Sequence, residues 1–220
     1  MTIDDAKLAA ARAALAELPA DGVIGLGTGS TAKLFIDAIG ELVAQGRRFV
    51  GVPSSDASRA QAAGLGIPLL PDDGPWDIAV AVDGADEVSP SLDLIKGGGG
   101  ALTREKIVNF SAKKNVIIVD ESKLSPQLGT RWAVPIEVLR FAHAATARHL
   151  EQHGTPVLRA GTLTDSHNVI YDLHGGPIAD PGALDRALHA IPGVVETGLF
   201  IGRADVVLVA RASGVQRLGR

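Results

Sequence analysis

Three acids, a lysine and a run of four glycines share one short stretch, DGADEVSPSLDLIKGGGGALTREK, residues 83–106. Asp83, Asp86 and Glu105 are groups that can accept or donate a proton. Lys96 can stabilise negative charge as it develops on an oxygen. Glycines 97–100 let backbone approach a small ligand closely. A second cluster, GLGTGST at 25–31, offers glycine-lined backbone N–H groups with hydroxyls at Thr28, Ser30 and Thr31, a combination that suits a phosphate. It is neither G-x-G-x-x-G, which would need glycine at position 30, nor a Walker A loop, because no Gly-Lys-Ser/Thr occurs.

Each group also has a plainer reading from local features. GLGTGST reads as a tight turn with a Ser/Thr cap. Asp83 and Asp86 read as turn formers, the glycine run as a linker, and Glu105 as an acid complementing a helix dipole. Arg104 and Lys106 are expected at the surface, and Lys7 and Lys123 read equally as solvated lysines. His149 and His153 are four apart on an expected helix, but no HExxH pattern or third ligand accompanies them.

The elements that must position these groups follow from periodicity. Residues 3–18 repeat apolar side chains at helical spacing through Ile3, Leu8, Ala11, Leu15 and Leu18, and Pro19 and Gly22 end the run. Strands are expected at 23–26, 49–52, 68–70, 77–82 and 115–119, alternating with helices at 32–45, from PSSDAS to about 63, and at 102–113. The runs VIGL, DIAVAV and NVIIV are apolar throughout, as expected for strands of a parallel sheet covered on both faces. In such a sheet, ligands bind beyond the carboxyl ends of the strands. The loops after Leu26, Val52, Val82 and Val119 fall at that edge, and they hold the polar clusters named above.

After about residue 127 the pattern changes. Strands at 133–139, 156–160, 169–173 and 194–198, with helices at 141–153 and 181–191, run in the order β-α-β-β-α-β of a ferredoxin-like unit. DVVLV, residues 205–209, is again a buried-type strand and is expected to rejoin the first sheet. The fold class is α/β: a parallel-sheet domain over 1–127 and 200–220, with a smaller α+β domain, 128–199, inserted before the last strand.

Composition excludes several classes. The net charge of −4 and the acidic pI of about 5.8 lack the basic field that nonspecific nucleic-acid binding needs. The chain contains no cysteine, so it forms neither disulfides nor thiolate metal sites. The first residues do not form a secretory signal, and no apolar run approaches the roughly 18 residues of a membrane span. A soluble cytoplasmic protein with no nucleic-acid or membrane partner is expected.

GLGTGST, PSSDAS, DGADEV, LIKGGGGALTREKIV and VDESK, in that order, resemble the motifs of the ribose-5-phosphate isomerase type A family. IPGVVETGLF near residue 200 extends the likeness over most of the chain. The joint occurrence of DGADE and KGGGGAL-REK is specific, whereas GLGTGST alone is not. The resemblance implies a Rossmann-like domain with a ferredoxin-like companion, and a homodimer or homotetramer. It implies interconversion of D-ribose 5-phosphate and D-ribulose 5-phosphate, with no cofactor and no metal. By motif, Glu105 corresponds to the catalytic base. Thr28, Gly29, Ser30 and Thr31, then Asp83, Gly84, Ala85 and Asp86, then Lys96, Gly97, Gly98 and Gly99, and then Lys123, correspond to substrate-binding segments. Lys7 falls where the family places a phosphate-contacting lysine. TDSHN at 164–168 departs from the family in carrying His167 where related sequences usually have glycine.

In the chemistry so implied, Glu105 carries a proton between C2 and C1 of an enediol or enediolate. Lys96 and the glycine backbone stabilise its oxygen, and Asp83 with Asp86 assists ring opening. The GTGST loop, with Lys7 or Lys123, anchors the phosphate. Two rivals stand beside this reading. A non-catalytic sugar-phosphate sensor would bind the same ligand but lack the base, and no helix-turn-helix segment precedes residue 22. A CoA-transferase-like enzyme would need a CoA site, for which the sequence carries no signal.

Overall fold

The computed structural model describes residues 2–219. In chain order the elements are α1 Ile3–Ala13, β1 Gly22–Leu26, α2 Ser30–Ala44, β2 Phe49–Pro53, α3 Asp56–Gly64, β3 Val80–Asp83, β4 Glu87–Val88, β5 Leu94–Ile95, α4 Leu102–Ser111 and β6 Asn115–Asp120. There follow β7 Val134–Val138, α5 His143–Leu150, β8 Thr155–Leu158, β9 Val169–His174, α6 Pro181–His189, β10 Val194–Thr197, β11 Leu199–Phe200, β12 Val206–Arg211 and β13 Gly214–Gly219. The chain divides into two compact units, the first running up to Gly84 with Arg104–Ser122 and everything from Arg203 onward, the second Ala85–Thr103 with Lys123–Gly202. No helix among the described residues is long and apolar enough to cross a membrane.

The first unit is built on a sheet of order β13-β12-β6-β3-β1-β2. Its strands β2, β1, β3, β6 and β12 are mutually parallel, and β13 closes one edge as an antiparallel hairpin with β12. The strand expected at 205–209 thus rejoins the first sheet. The hairpin strand after it was not foreseen, because GVQRLG is largely exposed and lacks an apolar run. On one face, Ile24, Leu26, Val82, Val116, Ile118 and Leu208 pack with Phe35, Ile36 and Ile39 of α2. The other face holds Val52, Ile78, Ala81 and Val108. Each fully buried side chain of this size contributes roughly 1.5–3 kcal/mol relative to exposure.

Helix α1 forms where its periodicity predicts, but not every residue of the apolar repeat is buried. A capping box starts it, with the Thr2 hydroxyl accepting from the Asp5 N–H and the Asp5 carboxylate accepting from the Thr2 N–H. The buried face is Ala6, Ala10, Ala11 and Ala14, while Ile3 and Leu8 are exposed. Small side chains let the helix backbone lie close to its neighbours, so the alanine stripe packs, Leu15 and Leu18 rest against the same core, and Ile3 and Leu8 turn outward. The helix also tightens to a 3₁₀ turn over Ala14–Glu17. Two strand expectations shorten. Residues 68–70 make only an isolated bridge from Leu69 to Gly51, and the strand expected from 77 begins at Val80.

The second unit contains an antiparallel sheet of order β10-β7-β9-β8, with α5 and α6 in the connections expected of a β-α-β-β-α-β chain. Its core includes Val134, Ile136, Val138, Leu150, Leu173 and Leu188. A separate three-stranded sheet, β11-β5-β4, was not expected. Strands of two residues carry no periodicity to read. This pairing explains why the unit boundaries differ from 128–199: Leu199 and Phe200 bond to Leu94 and Ile95, which draws the segment from Ala85 into the second unit.

Candidate active site

In the first unit the parallel strands bring Gly27 and Thr28 after β1, Ser54 and Ser55 after β2, and Asp83 at the end of β3 to one sheet edge. Asp83 is itself the last residue of β3, paired with Ile117, rather than part of the following loop. Its Oδ1 accepts the Thr28 N–H at 3.0 Å and the Gly84 N–H at 2.7 Å. Gly27 donates its own N–H to the Val82 carbonyl at 3.0 Å. A Cβ at position 27 would stand 2.6 Å from the Asp83 Cα, so only glycine fits there.

The Thr28 hydroxyl turns inward. It lies 2.8 Å from Ser54 Oγ, 2.9 Å from Ser55 Oγ and 3.2 Å from Ser58 Oγ. Ser58 in turn donates to the Gly27 carbonyl at 2.6 Å. Ser55 is the N-cap of α3. Gly29, at φ 108°, is the N-cap of α2, and no side chain caps that helix or places an acid in its first turn. Ser30 is the first helical residue rather than a cap; it is exposed, and Thr31 is half-buried. The α2 N-terminus therefore presents backbone N–H groups and the positive end of the helix dipole.

Glu105 lies in the first turn of α4 and is only 5% exposed. An acid that merely complements a helix dipole gains that benefit at the surface. Burying a carboxylate is costly unless the fold uses it. Glu105 lines one small cavity together with Gly27, Asp83, Asn109, Asn115 and Ile117. The structure thus brings Glu105 and Asp83 together, although 22 positions separate them in sequence. Arg104 pairs at the surface with Asp56 at 2.7 Å, as expected of a surface residue. Lys106 does not follow that expectation: it is 7% exposed, because α4 buries this side of its first turns. Lys7 is half-buried on α1.

The remaining candidates belong to the second unit. Asp86 bonds through its N–H to the Ile95 carbonyl at 2.8 Å, and its Oδ2 accepts the Gly98 N–H at 2.7 Å. Ala85 begins this segment. Lys96 is 3% exposed; its N–H donates to the Gly198 carbonyl at 2.9 Å, and its ammonium sits 5.5 Å from the centre of the Phe200 ring. Aromatic faces attract cations, which lowers the cost of holding this one away from water. Gly97, at φ 103°, opens a turn closed by the Gly100 N–H on the Gly97 carbonyl at 3.0 Å, with Gly98 and Gly99 exposed at its tip. The run is a structured turn and not a linker. Lys123 ends a short 3₁₀ turn, its ammonium 5.0 Å from the Trp132 ring centre.

Two kinds of support have no local signal in the sequence. Ser54, Ser55 and Ser58 carry no signal in the sequence beyond their place in the PSSDAS motif. Arg159, which bonds to the carbonyls of Gly97 and Gly98, is some 60 positions from them and gives no local signal. His167 adopts φ 63°, and its N–H closes a turn on the Thr164 carbonyl at 2.8 Å. That left-handed backbone is the reason glycine suits the position.

The family described as ribose 5-phosphate isomerase A (phosphoriboisomerase A) matches residues 50–214. The chain belongs to this family. A ribose-5-phosphate isomerase A of Desulfatibacillum aliphaticivorans is 48% identical to it, over 99% of both chains. The solved ribose 5-phosphate isomerase A of Methanocaldococcus jannaschii is 40% identical and covers 100% of each chain, with a TM-score of 0.94. A D-ribose-5-phosphate isomerase solved in complex with phospho-erythronic acid is 41% identical over 100% of each chain, with a TM-score of 0.96. The membership extends over both compact units, and the architecture is the Rossmann-like domain with a smaller companion that the family resemblance implied.

Proposed function

We propose that this isomerase interconverts D-ribose 5-phosphate and D-ribulose 5-phosphate, the non-oxidative pentose phosphate reaction, with Glu105 carrying the proton between C2 and C1 through an enediol or enediolate. Family membership over most of the chain carries the reaction. The buried carboxylate of Glu105 in the cavity it shares with Asp83 carries the choice of base. A well-placed general base contributes on the order of 10²–10⁴-fold.

The other roles follow the same logic. The Lys96 ammonium and the N–H of Gly99 stabilise the oxyanion of the intermediate, while the N–H of Gly98 holds Asp86. Asp83, held by two N–H groups, and Asp86, held by one, act on the sugar hydroxyls and assist ring opening. The α2 N-terminus with Gly29, Ser30 and Thr31 takes the phosphate. Thr28 contributes by holding Asp83 through its backbone N–H, because its hydroxyl is engaged by serines. Lys7 and Lys123 add positive charge toward the phosphate. Gly84 and Ala85 carry the chain from Asp83 to Asp86, and Gly97 opens the turn that holds Gly98. A relative solved with phospho-erythronic acid, a phosphorylated sugar acid, supports a site for an anionic phosphosugar.

The reading has the enzyme working in the cytoplasm as a homodimer or homotetramer, without cofactor, metal, nucleic acid or membrane partner. Ribulose 5-phosphate formation from ribose 5-phosphate by the purified protein in EDTA tests it. Turnover is expected to be unaffected by EDTA, and absence of turnover would overturn the proposal. Glu105→Gln keeps shape and removes the base, so kcat is expected to fall by roughly 10³-fold or more with KM little changed. A near-normal kcat in that variant would reassign the base. Light scattering on the eluting protein tests the oligomer.

A further inference from the structure

Arg159 follows β8, and its N–H extends the pairing with β9 by bonding to the Ile170 carbonyl at 2.9 Å. Its guanidinium is held from one side by Asp172, with Nε 3.0 Å from Oδ2 and Nη2 2.5 Å from Oδ1. On its other side Nη1 donates to the Gly97 carbonyl at 3.0 Å and to the Gly98 carbonyl at 3.2 Å. Both side chains are mostly buried, at 20% and 25% exposed. A planar fork anchored on a strand thus grips two successive peptides of the glycine turn.

The consequence follows from peptide geometry. No peptide bond among the described residues is cis. In a trans peptide the carbonyl and the following N–H point in opposite directions. The Gly97 carbonyl faces Arg159, so the Gly98 N–H faces away, where it meets Asp86 Oδ2 at 2.7 Å. The Gly98 carbonyl also faces Arg159, which turns the Gly99 N–H away from the guanidinium. Positive charge on the carbonyl side polarises both amides and strengthens them as donors.

We infer that Arg159, braced by Asp172, is a positioning residue for the isomerisation. It orients the Gly97–Gly98 peptide so that its N–H holds Asp86, and the Gly98–Gly99 peptide so that its N–H serves as a preorganised donor to substrate oxygen. The inference rests on the substrate-binding role proposed for residues 96–99. Lysine does not replace arginine here, because one ammonium cannot span the carboxylate and two carbonyls in a fixed plane.

The test measures kcat and KM for ribose 5-phosphate in Arg159→Ala and Arg159→Lys, with and without low, non-denaturing guanidinium. In parallel, amide exchange at Gly99 is followed in the wild type with and without phospho-erythronic acid. Preorganisation lost by about an ångström costs on the order of 10²-fold in rate, so kcat is expected to fall roughly 10–100-fold. KM should change less, and guanidinium should restore part of kcat in the Ala variant but not in the Lys variant. Arg159→Met, which keeps the apolar stem, carries the same measurement if the Ala variant does not fold. Ligand protection of the Gly99 amide in the wild type, together with a kcat within about twofold of wild type in the variants, would overturn the role of Arg159 alone. No protection in the wild type would overturn the binding role of the turn, and this inference with it.

Discussion

The Asp83 edge of the first unit and the glycine turn of the second solve one problem by different means. Each fixes a carboxylate with backbone N–H groups: Asp83 with those of Thr28 and Gly84, Asp86 with that of Gly98. At Asp83 the donors sit at the ends of paired parallel strands, so the ladder holds them and nearby backbone leaves no spare room. At Asp86 the donor sits in an exposed turn whose course depends on a side chain, Arg159. Precision that comes from regular hydrogen bonding is bound to the stability of the sheet. Precision that comes from a side-chain brace can be lost while the fold survives.

Matched substitutions test this contrast most sharply. Gly27→Ala brings a Cβ to 2.6 Å from the Asp83 Cα, and backbone cannot yield cheaply. It should destabilise by roughly 2 kcal/mol or more by chemical denaturation, with activity lost alongside. Gly98→Ala meets only the end of a side chain, with its Cβ 2.7 Å from Asp86 Oδ1. Asp86 can rotate away, so a stability change under about 1 kcal/mol is expected, with kcat lowered roughly tenfold. If both variants lose stability and activity in equal proportion, the contrast fails.

A smaller effect comes from Glu17, which ties the first unit together by accepting from Arg217 at 2.7 Å and from Lys114 at 2.6 Å. The hydrogen bond from Arg217, followed by that from Lys114, lowers its pKa from 4.5 to about 2. The stabilisation is complete above the unfolded value of 4.5 and is lost as pH falls toward about 2. Arg217 is half exposed, so solvent screening limits the loss in Glu17→Gln to roughly 1 kcal/mol at neutral pH. The gap in Tm between variant and wild type should stay constant above pH 4.5 and narrow below it. A gap that widened on acidification would break the assignment. The smallest effect is expected at His167. Its left-handed backbone favours glycine, so His167→Gly should raise stability by about 0.5–1 kcal/mol in the same denaturation experiment, without changing kcat.

The legible parts of the molecule are those with periodic signals. DIAVAV and NVIIV announced buried strands, and the order of elements after residue 127 announced the antiparallel sheet now seen as β10-β7-β9-β8. Residues whose neighbours lie far away in sequence escaped. The buried face of α1 is its alanine stripe, because close helix packing outweighs the size of Ile3 and Leu8. Lys106 is buried where its neighbours in sequence predicted a surface residue. β4, β5 and β11 are too short to announce themselves, yet their pairing moves the unit boundary.

By itself the sequence determined the parallel-sheet architecture, the order of elements in its smaller companion and the family, because apolar periodicity and the joined motifs DGADE and KGGGGAL-REK are local properties of the chain. It left Glu105 divided between a helix-dipole charge and a base, and the glycine run divided between a linker and a cradle. Only the tertiary structure decided that Glu105 is buried in the cavity that Asp83 lines, and that the run is a turn gripped by Arg159. Burial and side-chain bracing depend on groups that folding brings together across tens of residues, and no local pattern encodes those encounters.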